Sequence, residues 1–210
     1  MKSSKILDML NDGRIEELKV ALKDEIYTES LKGKTDAKKR YSAMKKYFTY
    51  VTSAREALQK PAIVEFEGDK YTSFTNSYSL ILTTEDPGEI ELFDETKGNY
   101  PDVTRLIRFD GEEDKIDFAD VIARAKTSGY KLNKKVVNNN DYLMLYKGSY
   151  YRIGLIDSSF SIIDDGSPAT IYYSPIFNQP LIIKTSLGIG VIMPIRYEKD
   201  PFEEPVIIEV

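Results

Sequence analysis

Residues 180–196 read PLIIKTSLGIGVIMPIR, a stretch dominated by β-branched and aliphatic residues. Runs of four to eight such residues, separated by polar residues and Gly, are typical of consecutive β-strands. The stretch therefore predicts strands at 181–185 and 189–195. They would form the centre of a sheet to which the rest of the chain adds.

The residues before this stretch alternate between strand and helix signals. The apolar spacing from Phe118 to Ala125 marks a helix that ends at Gly129, and Asp157 or Ser158 caps a short helical turn. This order predicts an α+β fold in which helices pack on one face of an antiparallel sheet. The predicted strands of this part are 115–118, 135–137, 141–146, 150–155 and 170–173.

Residues 61–99 also read mostly as strands. A hairpin is predicted from 63–67 and 70–75 with a turn at Gly68, and a third strand from 78–83. The acidic connection 85–98 has room for one short strand at 90–93.

The first 60 residues read as helices. Three are predicted, over 3–10, 14–30 and 35–59. On the second, one apolar face is expected to be buried, and on the third an apolar line follows steps of three and four residues. These residues are Ile15, Leu18, Leu22 and Ile26 on the second helix, and Ala37, Tyr41, Met44, Phe48, Val51 and Leu58 on the third.

These predicted elements divide the chain into three parts. Residues 1–99 would be an N-terminal domain, helical to about residue 60 and then a partial sheet unit. Residues 100–197 would be a C-terminal domain, entered through Tyr100 and Pro101. Residues 198–210 would be a tail that folds back over the domain, adds an edge strand, reaches a neighbouring subunit, or has no role.

Composition argues against an enzyme. The chain has 210 residues with no His and no Cys, so the commonest general base and the thiolate metal ligands are missing. Acidic pairs such as Asp164 and Asp165 stand beside Gly in turns, where carboxylates are usually solvated and not catalytic. No apolar run is long enough to span a bilayer. We expect a cytoplasmic protein without catalysis, cofactor, bound metal or membrane contact.

Charge is distributed unevenly along the chain. Residues 1–60 carry 14 Lys and Arg against 9 Asp and Glu, whereas the remainder carries 15 against 25. The densest basic run lies on the third predicted helix, where Lys39 and Lys46 point away from the apolar line and Lys38 and Lys45 flank them. Such a face suits the phosphates of duplex DNA, or it is a solvated surface. Tyr47 and Tyr50 lie beside it and could stack on bases or pack inside.

Four short segments resemble parts of the bacterial DNA polymerase III beta sliding clamp family. Residues 100–107, YPDVTRLI, are similar to the crossing into the family's third domain, and 191–196, VIMPIR, resemble its closing Met-Pro-x-Arg strand. Residues 153–164 stand in the place of that domain's second helix. Residues 75–80, TNSYSL, stand where the family has Thr-Asp-Gly-x-Arg-Leu. The resemblance covers about 135 of the 210 residues, from Pro61 to Arg196.

The resemblance implies a clamp-like fold and two binding surfaces. Duplex DNA would contact Arg124 and Lys126 on the helix after residue 117, besides the basic run. A groove would receive short peptides of DNA polymerase and of the clamp loader. Its residues would be Thr75, Tyr78, Leu80, Pro101, Arg105, Leu106, Val191, Ile192, Met193, Pro194 and Arg196.

Two functional interpretations follow from the resemblance. The first is a processivity factor that binds duplex DNA without sequence preference and tethers polymerase; three copies would supply the six domains of a closed ring. The second is an adaptor or decoy that binds clamp-partner peptides without encircling DNA. The compact size suits a bacteriophage or mobile element. The family's Gly-x-Arg is replaced by residues 77–79, SYS, so peptide specificity should differ.

Overall fold

A computed structural model describes residues 3–50, 58–174, 179–197 and 205–210. Three helices come first: α1 is Ser3–Asn11, α2 is Ile15–Ser30 and α3 is Thr35–Tyr47. Their order and starts agree with the sequence prediction. The α-helix predicted to continue to residue 59 ends at Tyr47 and is followed by a 3-10 turn, Phe48–Tyr50. Here the Thr49 hydroxyl donates to the Lys46 carbonyl, which competes with the helical pattern.

The apolar face predicted for α2 is wrong in part. Leu18 is buried, but Ile15, Leu22 and Ile26 are exposed, Ile26 by 68%. Periodicity identifies a face that can be buried, whereas tertiary packing decides whether anything covers it. On α3 the prediction holds for Tyr41 and Met44, which are buried. Val51 of the predicted line lies outside the described residues.

Seven strands form one antiparallel sheet, and both halves of the chain contribute strands to it. Its spatial order is β1-β2-β3-β9-β8-β7-β4, and β3 pairs with β9 where the two halves meet. These strands are β1 Ala62–Phe66, β2 Asp69–Thr75, β3 Ser79–Thr83, β4 Glu112–Ile116, β7 Ala169–Tyr173, β8 Leu181–Thr185 and β9 Gly188–Ile192. The short strand predicted at 90–93 is absent from this described segment, which is irregular.

The second half contains three helices, α4 Phe118–Thr127, α5 Lys134–Asn138 and α6 Ile153–Ile163. The strand predicted at 135–137 is wrong, because Asn133 caps α5 by accepting from the backbone N–H groups of Lys135 and Val136. The prediction for 150–163 is also corrected: the strand ends at Arg152 and the helix begins at Ile153, before the expected cap.

A second sheet has the order β10-β5-β6, formed by β5 Tyr142–Tyr146, β6 Ser149–Arg152 and β10 Val206–Glu209. The strand β10 comes from the C-terminal tail and pairs with β5 in parallel, with Val206 opposite Tyr142. Of the roles considered for the tail, the structure shows an added edge strand.

The seven-stranded sheet has a helix-covered face and an opposite face. Phe74, Ile81 and Ile192 point toward α3, α4 and α6 in the main core. Their strand neighbours point the other way because side chains alternate along a strand. That opposite face holds Leu80, Leu82, Ile182, Ile189 and Val191, covered by Val103 and Ile107 of the connection between the halves. The predicted α+β class, with helices packed on antiparallel sheet, is confirmed.

Candidate partner groove and basic helix face

The three segments predicted to line the groove lie together at the junction of β3 and β9. Leu80 pairs with Val191 across the two strands, and the Met193 N–H donates to the Tyr78 carbonyl over 2.9 Å. Val103 and Ile107, which flank Leu106 in the chain, pack against Leu80 and Val191. Segments more than 100 residues apart in sequence therefore share one surface. We call this surface the junction groove.

A tight turn between β2 and β3 presents Tyr78 to the junction groove. The Asn76 side-chain oxygen accepts from the Tyr78 N–H at 3.0 Å and from the Ser79 N–H at 2.8 Å. Ser77 has a φ of 71°, in the left-handed region that few residues other than Gly adopt. Asn76 is buried, so the turn is held from beneath, and the Tyr78 side chain above it is 51% exposed.

The predicted groove residues divide into exposed and buried ones. Tyr78, Pro101, Arg105, Leu106 and Arg196 are exposed, and Met193 and Pro194 are half-buried. The other four are buried, namely Thr75, Leu80, Val191 and Ile192. Leu80 and Val191 lie beneath the groove on the same sheet face. Ile192 lies in the helix-side core, so it cannot line the groove.

Tyr100 anchors the connection that carries Pro101 and Leu106. Its hydroxyl lies 3.2 Å from the Ser73 carbonyl, to which it donates, and its ring packs on Phe93 with centroids 5.7 Å apart. Burial raises the pKa of Tyr100 to about 12, although a hydrogen bond with Ser73 opposes the change. The phenol thus stays neutral and the connection is fixed against β2.

Arg105, one of the predicted groove residues, forms an ion pair with a nearby residue of the same segment. Its Nε lies 2.6 Å from the Asp102 carboxylate in an exposed ion pair. Hydrogen bonds from Thr104, together with the nearby Arg105, lower the pKa of Asp102. Pairs of this exposed kind contribute little energy, so Arg105 can exchange Asp102 for another anion.

Sequence reasoning missed Arg152 and Tyr150 on β6. The Arg152 guanidinium carbon lies 5.4 Å from the centre of the Tyr78 ring. The Tyr150 carbonyl accepts from the Ile195 N–H at 2.9 Å, and its ring meets that of Tyr197 with centroids 5.2 Å apart. The strand β6 therefore lies beside the junction groove, next to the segment that carries Met193 and Pro194.

The basic run on α3 lies on the helix layer, on the opposite side of the seven-stranded sheet. Lys38, Lys39 and Lys46 line a cleft of about 910 Å³ between α3 and α6. Lys45 points elsewhere: its Nζ lies 2.6 Å from the Asp24 carboxylate and 5.5 Å from the centre of the Tyr41 ring.

The lysines of α3 differ in whether they pair with a carboxylate of the residues that the structure describes. Lys39 contacts Asp36 at 3.2 Å in an exposed pair. Lys38 and Lys46 have no carboxylate partner among the residues that the structure describes. Both are exposed. They are the strongest candidates for phosphate contact on this helix.

Arg40 and Asp24 fix the position of α3. The Arg40 Nη2 contacts the Glu85 carboxylate at 2.8 Å in the loop after β3. Burial tends to raise the pKa of Asp24, but hydrogen bonds from Lys45 and Tyr41 outweigh it, and the net pKa is lowered. Asp24 therefore stays ionised and joins α2 to α3.

Tyr47, considered for base stacking, is excluded from that role. It is 1% exposed, and its hydroxyl lies 2.9 Å from the Ser79 hydroxyl in the core. Burial raises the pKa of this phenol, with the Ser79 hydrogen bond opposing the rise. The side chain of Tyr50 lies outside what the structure describes.

Arg124 and Lys126 occupy the exposed side of α4. Arg124 donates to the Glu209 carbonyl of β10 at 3.1 Å and lies 3.9 Å from Asp120. One of its functions is therefore to hold the tail strand. Lys126 is exposed. Beneath it, burial raises the pKa of Asp157, opposed by a hydrogen bond from Tyr130 at 2.9 Å.

The described ranges contain no cluster of three or more Asp or Glu side chains arranged to hold a metal ion. Across the same ranges, no helix combines the length and apolar character needed to cross a bilayer.

The fold is that of the bacterial DNA polymerase sliding clamps. The sliding clamp from Bacillus subtilis superposes with a TM-score of 0.51 and 15% identity, covering 76% of this chain and 62% of its own. DNA polymerase III subunit beta from Borrelia burgdorferi, solved in complex with a natural product, gives 0.50 and 13%, with the same coverage.

The chain thus spans less than two thirds of the length of either clamp. No protein-family model matches the sequence. No curated protein matches it either.

Proposed function

We propose that this chain is a sliding-clamp-like processivity factor without catalysis of its own. It holds duplex DNA through the lysines of α3, without reading the base sequence, and tethers DNA polymerase through the junction groove. Peptides of the clamp loader would use the same groove. We place it in the cytoplasm of a bacterial or phage-infected cell.

One observation carries the proposal. The segments 75–80, 101–106 and 191–196 converge at the β3–β9 pairing, while Lys38 and Lys46 lie on the other side of the same sheet. A tether needs two separate surfaces on one rigid body, and the continuous sheet supplies that body. Phosphates position a protein without giving sequence information, which suits a protein that moves along DNA.

The chemistry of the junction groove supports an apolar peptide. Leu106 is 47% exposed and Met193 is half-buried beside Tyr78. A Met side chain adapts to different apolar anchors, and exposed aromatic side chains contribute strongly to interfaces. The buried Leu80 and Val191 support this surface from below without contacting the partner.

Replacing Leu106 and Met193 together by Ala should weaken peptide binding by about 10- to 100-fold, because two apolar contacts are lost. The probe is a fluorescein-labelled decapeptide in which two Leu and one Phe stand among Gln residues, measured by fluorescence anisotropy. Leu92→Ala, which removes an exposed Leu from the loop after β3, is the matched control. Unchanged affinity in the double variant would remove the groove from the proposal.

A second candidate function is an interaction module that does not encircle DNA, either an adaptor or a decoy. The tail strand β10 favours it, because β10 already pairs with β5 and so prevents a neighbouring subunit from pairing with that strand. A ring would need three copies. Sedimentation equilibrium at micromolar concentration separates the candidates: a trimer supports the ring, and a strict monomer supports the module.

A further inference from the structure

Arg152 has a fixed position beside the junction groove. It is the last residue of β6 and pairs with Leu143 of β5. Its guanidinium carbon lies 5.4 Å from the centre of the Tyr78 ring, and its Nε donates to the Asn140 side-chain oxygen over 3.0 Å. Two elements far apart in sequence thus set the direction of one side chain.

This arrangement leaves the outer part of the guanidinium available. The bond to Asn140 uses Nε, so the two terminal nitrogens, with four N–H groups, are not committed by it. Arg40, Arg105 and Arg124 each lie within 4.0 Å of a carboxylate. Arg152 has no such partner among residues 3–50, 58–174, 179–197 and 205–210.

The surroundings of Arg152 favour contact with a negatively charged partner. Arg152 is half-buried, and burial lowers the pKa of its guanidinium, although the group remains charged at neutral pH. Contact with an aromatic ring restores part of the lost hydration energy. A carboxylate restores more, since Arg accepts a carboxylate through two parallel hydrogen bonds.

We propose that Arg152, stacked on Tyr78, receives a carboxylate of the partner segment, so that the junction groove selects an acidic peptide. The inference rests on the proposed groove and specifies what that groove prefers. A single guanidinium beside Tyr78, whose carbonyl accepts from the Met193 N–H, fits one carboxylate next to apolar anchors. A polyanion such as DNA would need a row of cations, and the uncommitted lysines of α3 lie on the other side of the sheet.

Two fluorescein-labelled decapeptides test the inference. Both carry two Leu and one Phe; one has Gln at the remaining positions, and the other has Glu at three of them. The wild-type protein should bind the Glu peptide about tenfold more tightly, as expected for a hydrogen-bonded charge pair. Arg152→Gln should reduce this preference for the Glu peptide over the Gln peptide to less than about twofold.

Two further variants control for folding and for general electrostatics. Arg152→Lys keeps the charge but loses the planar pair of donors, and most of the preference should disappear. Arg108→Gln removes an exposed charge that is not among the predicted groove residues, and it should keep the full preference. The thermal unfolding curve of each variant shows whether it is folded.

The outcomes separate the inference from the proposed function. If Arg152→Gln retains the preference, or if the wild type binds both peptides equally, the inference is overturned and the groove stands. If neither peptide binds to the wild type, the junction groove itself is wrong, and the inference is wrong with it.

Discussion

Gly188→Ala should lower the free energy of unfolding by about 3 kcal/mol, because the new methyl group would have no space. Gly188 begins β9 and pairs with Thr83 of β3, at the junction of the two halves of the chain. A Cβ at this position would overlap the Leu82 carbonyl oxygen and lie 2.9 Å from the Ile163 side chain of α6. The carbonyl belongs to a central strand and cannot turn away.

The strand offers a matched control two residues further on. At Gly190 the nearest atom to a new Cβ would be the Ile163 Cδ1 at 3.3 Å, the end of a flexible side chain. Gly190→Ala should cost less than about 1 kcal/mol. For a chain of this size, thermal unfolding followed by circular dichroism should place the two variants roughly 4–8 °C apart. Equal midpoints would contradict the β3–β9 pairing.

Replacing Lys38 and Lys46 together by Gln should weaken binding to a 20-base-pair duplex by about 60-fold at 0.1 M salt, if each lysine neutralises one phosphate. The slope of log K against log salt concentration should become shallower by about 1.8. Two duplexes of unrelated sequence should lose affinity equally, because phosphate contacts carry no base information.

Lys70→Gln combined with Lys115→Gln is the charge-matched control. Both lysines are exposed, but they lie on strands β2 and β4, away from α3. In this control, the loss of DNA affinity and the change in salt slope should be no larger than the loss of about one phosphate contact would cause. If the two double variants lose DNA binding equally, the response is to net charge alone and α3 is not the binding surface.

Much of the sheet could be predicted from the sequence. In 62–83 and 181–192, β-branched residues and turn signals are local, so strand positions follow from neighbouring residues. The stretch 150–163 was different. Gly154 is the only Gly or Pro in this stretch and does not by itself mark where the strand ends, so burial decides the change from β6 to α6 at Ile153.

The sequence before α5 contains a helix-capping signal that could have predicted this helix. Asn133 is a good cap, and the two N–H groups it accepts from follow within three residues. The β-branched pair Val136 and Val137 favoured a strand instead. Both are buried in the core, and this packing overrides their intrinsic preference.

Only part of the junction groove could be predicted from the sequence. The chain segments around Tyr78, Leu106 and Met193 could be grouped through a resemblance, and the structure places them together. Arg152 could not be found, because its approach to Tyr78 depends on how β6 and the β2–β3 turn meet in space. Likewise, nothing in the tail sequence specifies a parallel pairing of β10 with β5.

Simultaneous binding of DNA and peptide tests the tether most directly. In sedimentation velocity, the fluorescein-labelled Gln decapeptide should co-migrate with a 20-base-pair duplex only when the protein is present. Lys38→Gln with Lys46→Gln should leave the peptide on protein without DNA, and Leu106→Ala with Met193→Ala should leave DNA without peptide. If peptide and DNA instead displace each other from the wild-type protein, the two surfaces are not separate and the protein is not a tether.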